Sequence, residues 1–137
     1  MRNVYRYLAM AIATGVVIQA AAIAFGAFDL LKAVDDGTSV SGDYENVGLE
    51  IHVLLGDMVI PLLAIVFLVV GIVARAQRGA LKWAGIVFGL VLLQFLLGGF
   101  AHDMPGLGVL HGVNALLILL AAIHAIGVFD REREPVA

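Results

Sequence analysis

Long apolar stretches separated by short polar segments dominate the chain. The apolar stretches cover approximately residues 7–31, 51–74, 83–101 and 107–129. A helix needs about 20 predominantly apolar residues to cross the hydrocarbon core of a bilayer, and each stretch approaches or exceeds that length. The pattern therefore predicts four membrane-spanning helices in a single domain that covers residues 1–137.

The connections predict how these helices are arranged. The link formed by residues 76–79 is so short that the second and third helices must be antiparallel neighbours. The turn at residues 102–106 is equally short, and Pro105 is well placed to begin the fourth helix. We therefore expect an all-α, integral membrane four-helix bundle with up-down topology, in which alternate helices lie diagonally across the centre.

Composition and charge define the class of protein and its expected orientation. Apolar residues make up 62% of the chain and charged residues 14%, a balance typical of membrane proteins. The absence of cysteine excludes disulfides, iron–sulfur clusters and thiolate zinc sites. Basic residues are concentrated on one side of the predicted bundle, which places both termini in the cytoplasm by the positive-inside rule. These residues are Arg2, Arg6, Arg75, Arg78, Lys82, Arg131 and Arg133.

The first apolar stretch is expected to remain as a helix of the mature protein. It is long enough to span the bilayer and lacks the short apolar centre of a secretory signal peptide. The small residues Ala20, Ala21 and Ala22 resemble a cleavage site, so removal of this segment is the alternative.

Two histidines are the main candidates for chemistry. His52 and His111 lie near the outer ends of the second and fourth predicted helices, and their depths agree within roughly 6 Å at about 1.5 Å per residue. Two imidazoles at matched depth across a bundle are an arrangement that can ligate a haem iron from both sides. The alternative is a pair of interfacial histidines, with glycines that serve only helix packing. The neighbouring glycines that would leave room for a macrocycle are Gly48, Gly56, Gly108 and Gly112.

Three amides are expected inside the bundle. Gln19, Gln94 and Asn114 lie in otherwise apolar stretches, and an amide at that depth needs hydrogen-bond partners. The glutamine side chains are expected to bond water, the second nitrogens of the histidines or each other, and interhelical hydrogen bonding without a cofactor is the alternative.

A weak internal repeat links these residues. Each half of the chain is a predicted helical hairpin with a glutamine on its first helix and a histidine on its second. Such a repeat predicts pseudo-two-fold symmetry about an axis along the membrane normal.

Asp57 is a candidate proton-handling residue, because an ionisable group at that depth is a functional candidate by default. On a regular α-helix it lies about 140° around the axis from His52, so it is not expected to point where His52 points. A carboxylate that accepts from a neighbouring helix and a structural acid near the interface are the alternatives. Pro61 is expected to kink this helix.

The two remaining histidines bear on the number of haems. His102, at the outer rim, is either a candidate contact for a haem propionate or a solvated turn residue. His124 lies toward the cytoplasmic end and has no histidine at matched depth on another helix. One haem is therefore expected rather than two.

The segment Leu92–Gly99, followed by a short turn and Leu110-His111, resembles half of a haem A synthase. Those enzymes look like two fused four-helix halves with histidine ligands on the second and fourth helices, which implies His52 and His111 as haem ligands here. Gln19, His52, Gln94 and His111–Asn114 also resemble the pattern of small uncharacterised actinobacterial four-span membrane proteins.

The sequence departs from the enzymes at four points. Glu50 precedes His52 by two residues rather than three, Val53 replaces the arginine that follows the histidine, and the outer-loop cysteines are missing. There is also no second four-helix half. The resemblance therefore implies haem binding but not haem hydroxylation by this chain alone.

Together these features predict a haem b protein of the bacterial plasma membrane that transfers single electrons or handles haem, and not an enzyme by itself. The expected partners are membrane lipid and a quinone or a respiratory redox protein of the membrane, with no nucleic acid; an oligomer is compatible with the sequence. The alternatives are a cofactor-free structural or assembly subunit of a larger membrane complex and a small proton-coupled carrier that uses Asp57.

Overall fold

A computed structural model describes residues 1–41, 44–101 and 103–130, and all regular secondary structure in these ranges is helical. The four long helices are α1 (Arg2–Asp35), α2 (Val47–Val73), α3 (Ala80–Ala101) and α4 (Gly106–Ile126). Each is long and apolar enough to cross a membrane, so the four predicted apolar helices are confirmed.

Helix α2 is not regular along its whole length. It consists of an α-helical segment, Val47–Leu54, a single π-helical turn, Leu55–Val59, and a second α-helical segment, Ile60–Val73. In the π-turn the backbone N–H of Ile60 donates to the carbonyl of Leu55, five residues earlier.

Helix α1 extends beyond the predicted apolar stretch at both ends. Arg2 and Lys32 lie outside residues 7–31, yet arginine and lysine have high helix propensity and continue the helix. The helix ends only at Asp35, shortly before Gly37, whose φ of 76° lies in the left-handed region. The apolar pattern therefore gives the length of the span but not that of the helix.

Neighbouring helices run antiparallel. Tyr5, at the start of α1, packs against Phe67 near the end of α2 with ring centroids 4.5 Å apart, whereas Gly26 contacts Gly48 at the opposite ends of the same helices. The ring of Tyr5 also lies 5.2 Å from that of Phe129, directly after α4.

The helices form a closed ring. Each contacts its neighbours in the chain, and α1 contacts α4, so that α2 and α4 lie across the centre from each other. These contacts are compatible with the predicted helix bundle.

The two halves of the molecule are packed differently. The terminal half, which contains the N terminus and the α2–α3 connection, is filled by buried side chains. There the hydroxyl of Tyr5 donates to the carbonyl of Ala80 at 2.9 Å. The loop half, which contains the α1–α2 and α3–α4 connections, encloses a cavity. Among all described residues, the largest fully buried side chains are Tyr5, Ile12, Phe67, Val87 and Ile118.

The α1–α2 connection is fastened to α1 by Asn46. Its side-chain oxygen accepts from the backbone N–H of Leu49 at 2.9 Å and so caps α2, and its Nδ2 donates to the carbonyl of Gly26 at 2.9 Å. Tyr44 donates to Asp29 on α1 at 2.9 Å, and this hydrogen bond raises the pKa of the Tyr44 phenol above its ordinary value.

Gly48 allows the close approach of α1 and α2. A Cβ atom at this position would lie 2.6 Å from the backbone oxygen of Ala22 and would also collide with the backbone of Gly26. Gly48 was expected to leave room for a macrocycle, and this expectation is wrong, because the space beside it is filled by the backbone of α1.

Candidate functional site

His52 on α2 and His111 on α4 face each other across the loop half. Their ring centroids are 6.1 Å apart and the ring planes are inclined by 58°. Both side chains are half-buried. The structure thus brings together the two histidines that the sequence places on diagonal helices at matched depth.

Each histidine is oriented by a backbone carbonyl of the preceding helix. Nδ1 of His52 lies 3.2 Å from the oxygen of Gln19, and Nδ1 of His111 lies 3.2 Å from the oxygen of Gln94. A carbonyl oxygen only accepts, so Nδ1 carries the hydrogen in both rings. In the neutral imidazole this leaves the lone pair on Nε2, the form in which a histidine binds a metal through Nε2.

The glutamines act on the histidines through their backbone rather than through their side chains. The Oε1 atom of Gln94 instead accepts from Nδ2 of Asn114 at 2.8 Å, and Nδ2 of Asn114 also donates to the carbonyl of Leu90 at 2.9 Å. Asn114 is only 3% exposed and connects α4 to α3. Interhelical hydrogen bonding, the alternative for these amides, therefore describes the pair of Gln94 and Asn114.

Two buried amide oxygens have no donor in the part of the chain that the structure describes. They are Oε1 of Gln19 and Oδ1 of Asn114. An unsatisfied buried acceptor costs about 1–3 kcal/mol. Gln19 lines the cavity whereas Asn114 does not, so the free oxygen of Gln19 belongs to the candidate site.

A cavity of about 590 Å³ lies between the four helices in the loop half. This volume is within the range of roughly 300–1,000 Å³ found for small-molecule and cofactor sites. Most of its lining is apolar. The candidate site residues that border it are His52, His111, Gln19, Gln94, Gly56, Asp57 and Gly112.

Five of the described glycines border this cavity, namely Gly56, Gly98, Gly99, Gly108 and Gly112. A Cβ atom at Gly98 would lie 3.1 Å from Cε1 of His111, and one at Gly56 would lie 2.8 Å from Nε2 of Gln19. At Gly112 a Cβ would meet nothing within 4 Å. Gly56 therefore makes room for the glutamine amide and Gly98 for the imidazole, while Gly112 leaves cavity space free.

Asp57 borders the same cavity as His52, contrary to the expectation from a regular helix. The π-turn Leu55–Val59 holds more residues per turn than an α-helix, so the rotation from His52 to Asp57 is smaller than the predicted angle. Pro61, the second residue after this turn, has no N–H with which to bond the carbonyl of Asp57. The π-turn therefore lies where this backbone hydrogen bond is missing, and the kink expected at Pro61 stays a prediction.

The other two histidines are separate from the pair. His124 packs against Trp83 in the terminal half with ring centroids 3.9 Å apart. His102, the candidate propionate contact, lies outside the described residues. Within the described ranges there is no cluster of three or more histidine, aspartate or glutamate side chains that could hold a metal ion.

Sequence reasoning missed Gly98 as a site residue and Asn46 as the residue that holds the α1–α2 connection against α1. Gly98 had a signal, since it lies one helical turn after Gln94 in the helix that packs on His111. Asn46 directly precedes an apolar helix, which is the preferred place of an asparagine N-cap.

Comparison with known proteins leaves the function open. Residues 40–101 match the model of a family of unknown function, DUF6220. The matched stretch contains α2 and α3, and thus His52 and Gln94, but neither Gln19 nor His111. No curated protein and no solved structure matches the chain significantly.

Proposed function

We propose that this protein is a membrane haem b-binding protein in which His52 and His111 are the axial ligands. The separation of 6.1 Å between the ring centroids is the observation that carries the proposal. A metal–imidazole bond is about 2 Å long and a ring nitrogen lies roughly 1.1 Å from the ring centre, so two histidines on opposite sides of one metal have centroids roughly 6 Å apart.

The cavity supports a macrocycle rather than a bare metal ion. His52 and His111 would hold an iron through their Nε2 atoms, and a porphyrin would supply its remaining ligands. The surrounding volume of about 590 Å³ is lined mainly by apolar side chains and glycines, which suits a flat apolar group.

Haem b held by two imidazoles would supply a one-electron iron couple with no open coordination position. This chemistry favours electron transfer or haem handling over oxygen chemistry, so we propose that the chain is not an enzyme by itself. Gln19 and Gln94 fix both rings through their carbonyls, and a hydrogen bond from Nδ1 to a carbonyl makes Nε2 of the same ring a better metal ligand.

Placement in a membrane is supported by the outer surface and by charge. Large apolar side chains point outward along all four helices; Phe28, for example, is 72% exposed. A helix bundle that exposes such a surface is suited to lipid rather than water. With basic residues at the terminal half, we propose a bacterial plasma membrane protein with both termini in the cytoplasm.

The proposed symmetry is supported by the two equivalent contacts. In each hairpin the histidine of the second helix donates to the carbonyl of a glutamine on the first, at the same distance of 3.2 Å. The resemblance to one half of a haem A synthase points to the same histidine pair.

The optical spectrum of the protein, purified in detergent from haem-replete cells, tests the proposal. We expect a Soret band and, after reduction with dithionite, the sharp alpha band of a six-coordinate haem b. A colourless preparation would contradict haem binding and would favour a cofactor-free structural or assembly subunit of a larger membrane complex.

Gly98→Ala is expected to weaken haem binding by roughly 10–100-fold, the range typical of changes to residues that orient a metal ligand. The new methyl group would press on the His111 ring, 3.1 Å from Cε1 and 3.3 Å from Nδ1, and disturb its bond to Gln94. The measurement is the rate at which haem transfers from the protein to excess apomyoglobin.

Gly89→Ala, on the same helix but outside the cavity lining, is the matched control for this variant. A Cβ there meets nothing within 4 Å, so its rate of haem transfer should stay near that of the unmodified protein. Equal rates for the two variants would mean that Gly98 does not position His111.

A further inference from the structure

The cavity opens on the side of the bundle. The close contacts between α2 and α3 come almost entirely from the Ile60–Val73 segment of α2, whereas the Val47–Val59 part stands away from α3. Val53 on α2 and Phe95 on α3 border the cavity and are 55% and 49% exposed. A molecule can therefore reach the cavity sideways, past apolar side chains.

Two hydrogen-bond acceptors that border the cavity are free. Asp57 borders the cavity, is exposed, and makes no hydrogen bond or ion pair with any other described residue. Oε1 of Gln19 is buried and has no donor among those residues. The two lie in the same part of the cavity, because the amide of Gln19 packs against Gly56, the residue before Asp57.

The chemistry of the opening restricts its ligand. In a membrane-embedded bundle, a molecule that enters from the side must dissolve in lipid, which excludes ions and favours an apolar, neutral body. Two unpaired acceptors require hydroxyl or amine donors, since a ligand that offers only acceptors would leave both desolvated and unpaired.

We propose that the cavity, reached through this lateral opening, binds the headgroup of a lipid-soluble hydroquinone, whose hydroxyls donate to the Asp57 carboxylate and to Oε1 of Gln19. The oxidised quinone offers only carbonyl acceptors and is expected to bind more weakly. Binding itself depends on the membrane placement but not on haem; only the role of the hydroquinone as an electron donor rests on the proposed function. Asp57 lies five residues from His52, about 7 Å along the helix axis at 1.5 Å per residue.

Calorimetric titration of the protein in nanodiscs with 2-decyl-1,4-benzohydroquinone tests this inference. The measurement is made anaerobically, on protein as purified, and repeated with the dimethyl ether of the same compound and with its quinone. We expect saturable binding of the hydroquinone and at least tenfold weaker binding of the other two, because methylation and oxidation both remove the donors.

Two variants locate the site. Asp57→Asn removes the charge at an exposed position without changing the shape, and Gln19→Leu removes the amide while leaving the backbone carbonyl that holds His52. Each is expected to weaken hydroquinone binding about tenfold, roughly 1.4 kcal/mol. Glu50→Gln, an exposed acid on the same helix that does not border the cavity, is the control and should bind as the unmodified protein does.

Equal affinity for the hydroquinone and its dimethyl ether would overturn the inference, since it would mean that the cavity takes any apolar molecule, a lipid chain included. So would the absence of saturable binding, or affinity unchanged in Asp57→Asn and Gln19→Leu. The haem spectrum separates this result from the proposed function: a colourless protein that binds the hydroquinone refutes only haem binding, and a haem-containing protein that does not bind it refutes only this inference.

Discussion

His52→Ala and His111→Ala are each expected to lower the haem content of the purified protein to less than a tenth of that of the unmodified chain. Either substitution removes one of the two imidazoles that lie 6.1 Å apart across the cavity and leaves the other without a counterpart. Loss of a direct ligand should weaken haem binding more than the roughly 10–100-fold typical of changes to residues that only orient a ligand. The measurement is the ratio of haem to protein, from the pyridine haemochrome spectrum and the protein concentration.

His124→Ala is the matched control, because it removes an imidazole from the same helix as His111. This ring packs on Trp83 in the terminal half and is not part of the cavity, so haem content should stay near that of the unmodified protein. Full haem content in His52→Ala or His111→Ala would contradict the ligand assignment. Loss of haem in all three variants, together with a lower unfolding temperature in His124→Ala, would attribute the loss to instability.

The number of helices and the position of the histidine pair could be predicted from the sequence for simple reasons. Each helix is a long uninterrupted apolar stretch, and short connections force chain neighbours to be antiparallel. That topology alone places α2 and α4 diagonally opposite each other. Side chains at His52 and His111 that point inward therefore face each other across the interior. The ends of α1 could not be predicted in this way, because Arg2 and Lys32 continue the helix without contributing to the apolar pattern.

The groups that orient the histidines could not be identified from the sequence. Every residue carries a backbone carbonyl, so nothing distinguishes those of Gln19 and Gln94 from their neighbours until the helices are packed. The position of Asp57 was missed for a related reason. Helical angles assume a constant number of residues per turn, and the π-turn before Pro61 breaks that assumption.

The glycines near His52 have different surroundings, and the sequence could not distinguish them. Gly48 and Gly56 both lie about one turn from the histidine, and composition cannot distinguish a glycine that borders a cavity from one that touches a backbone. In the structure Gly56 borders the cavity, whereas Gly48 packs on α1 at Ala22 and Gly26. Close helix packing describes Gly48, and Gly56 makes room for the amide of Gln19 beside the cavity, while room for a cofactor at Gly56 stays a prediction.

Gly48→Ala is therefore expected to destabilise the protein strongly, although alanine is the better helix former by about 1 kcal/mol. Its Cβ would lie 2.6 Å from the oxygen of Ala22, a backbone atom that cannot rotate away, so α1 and α2 must separate. Overpacking costs about 1–3 kcal/mol when side chains can adjust and more when they cannot, so we expect a net loss of about 2 kcal/mol or more. Separation would also stretch the hydrogen bond from Asn46 to Gly26.

Thermal unfolding in detergent measures this effect, with a fall in midpoint of roughly 5–10 °C expected from the size of the chain. Gly89→Ala is the control, and its unfolding midpoint is expected to rise rather than fall. A Cβ at Gly89 meets nothing within 4 Å, and this exposed position on α3 lies outside the cavity lining, so only the gain in helix propensity remains. A midpoint that rises equally in both variants would contradict the close approach of α1 and α2, and with it the positions of Gln19 and His52 relative to each other.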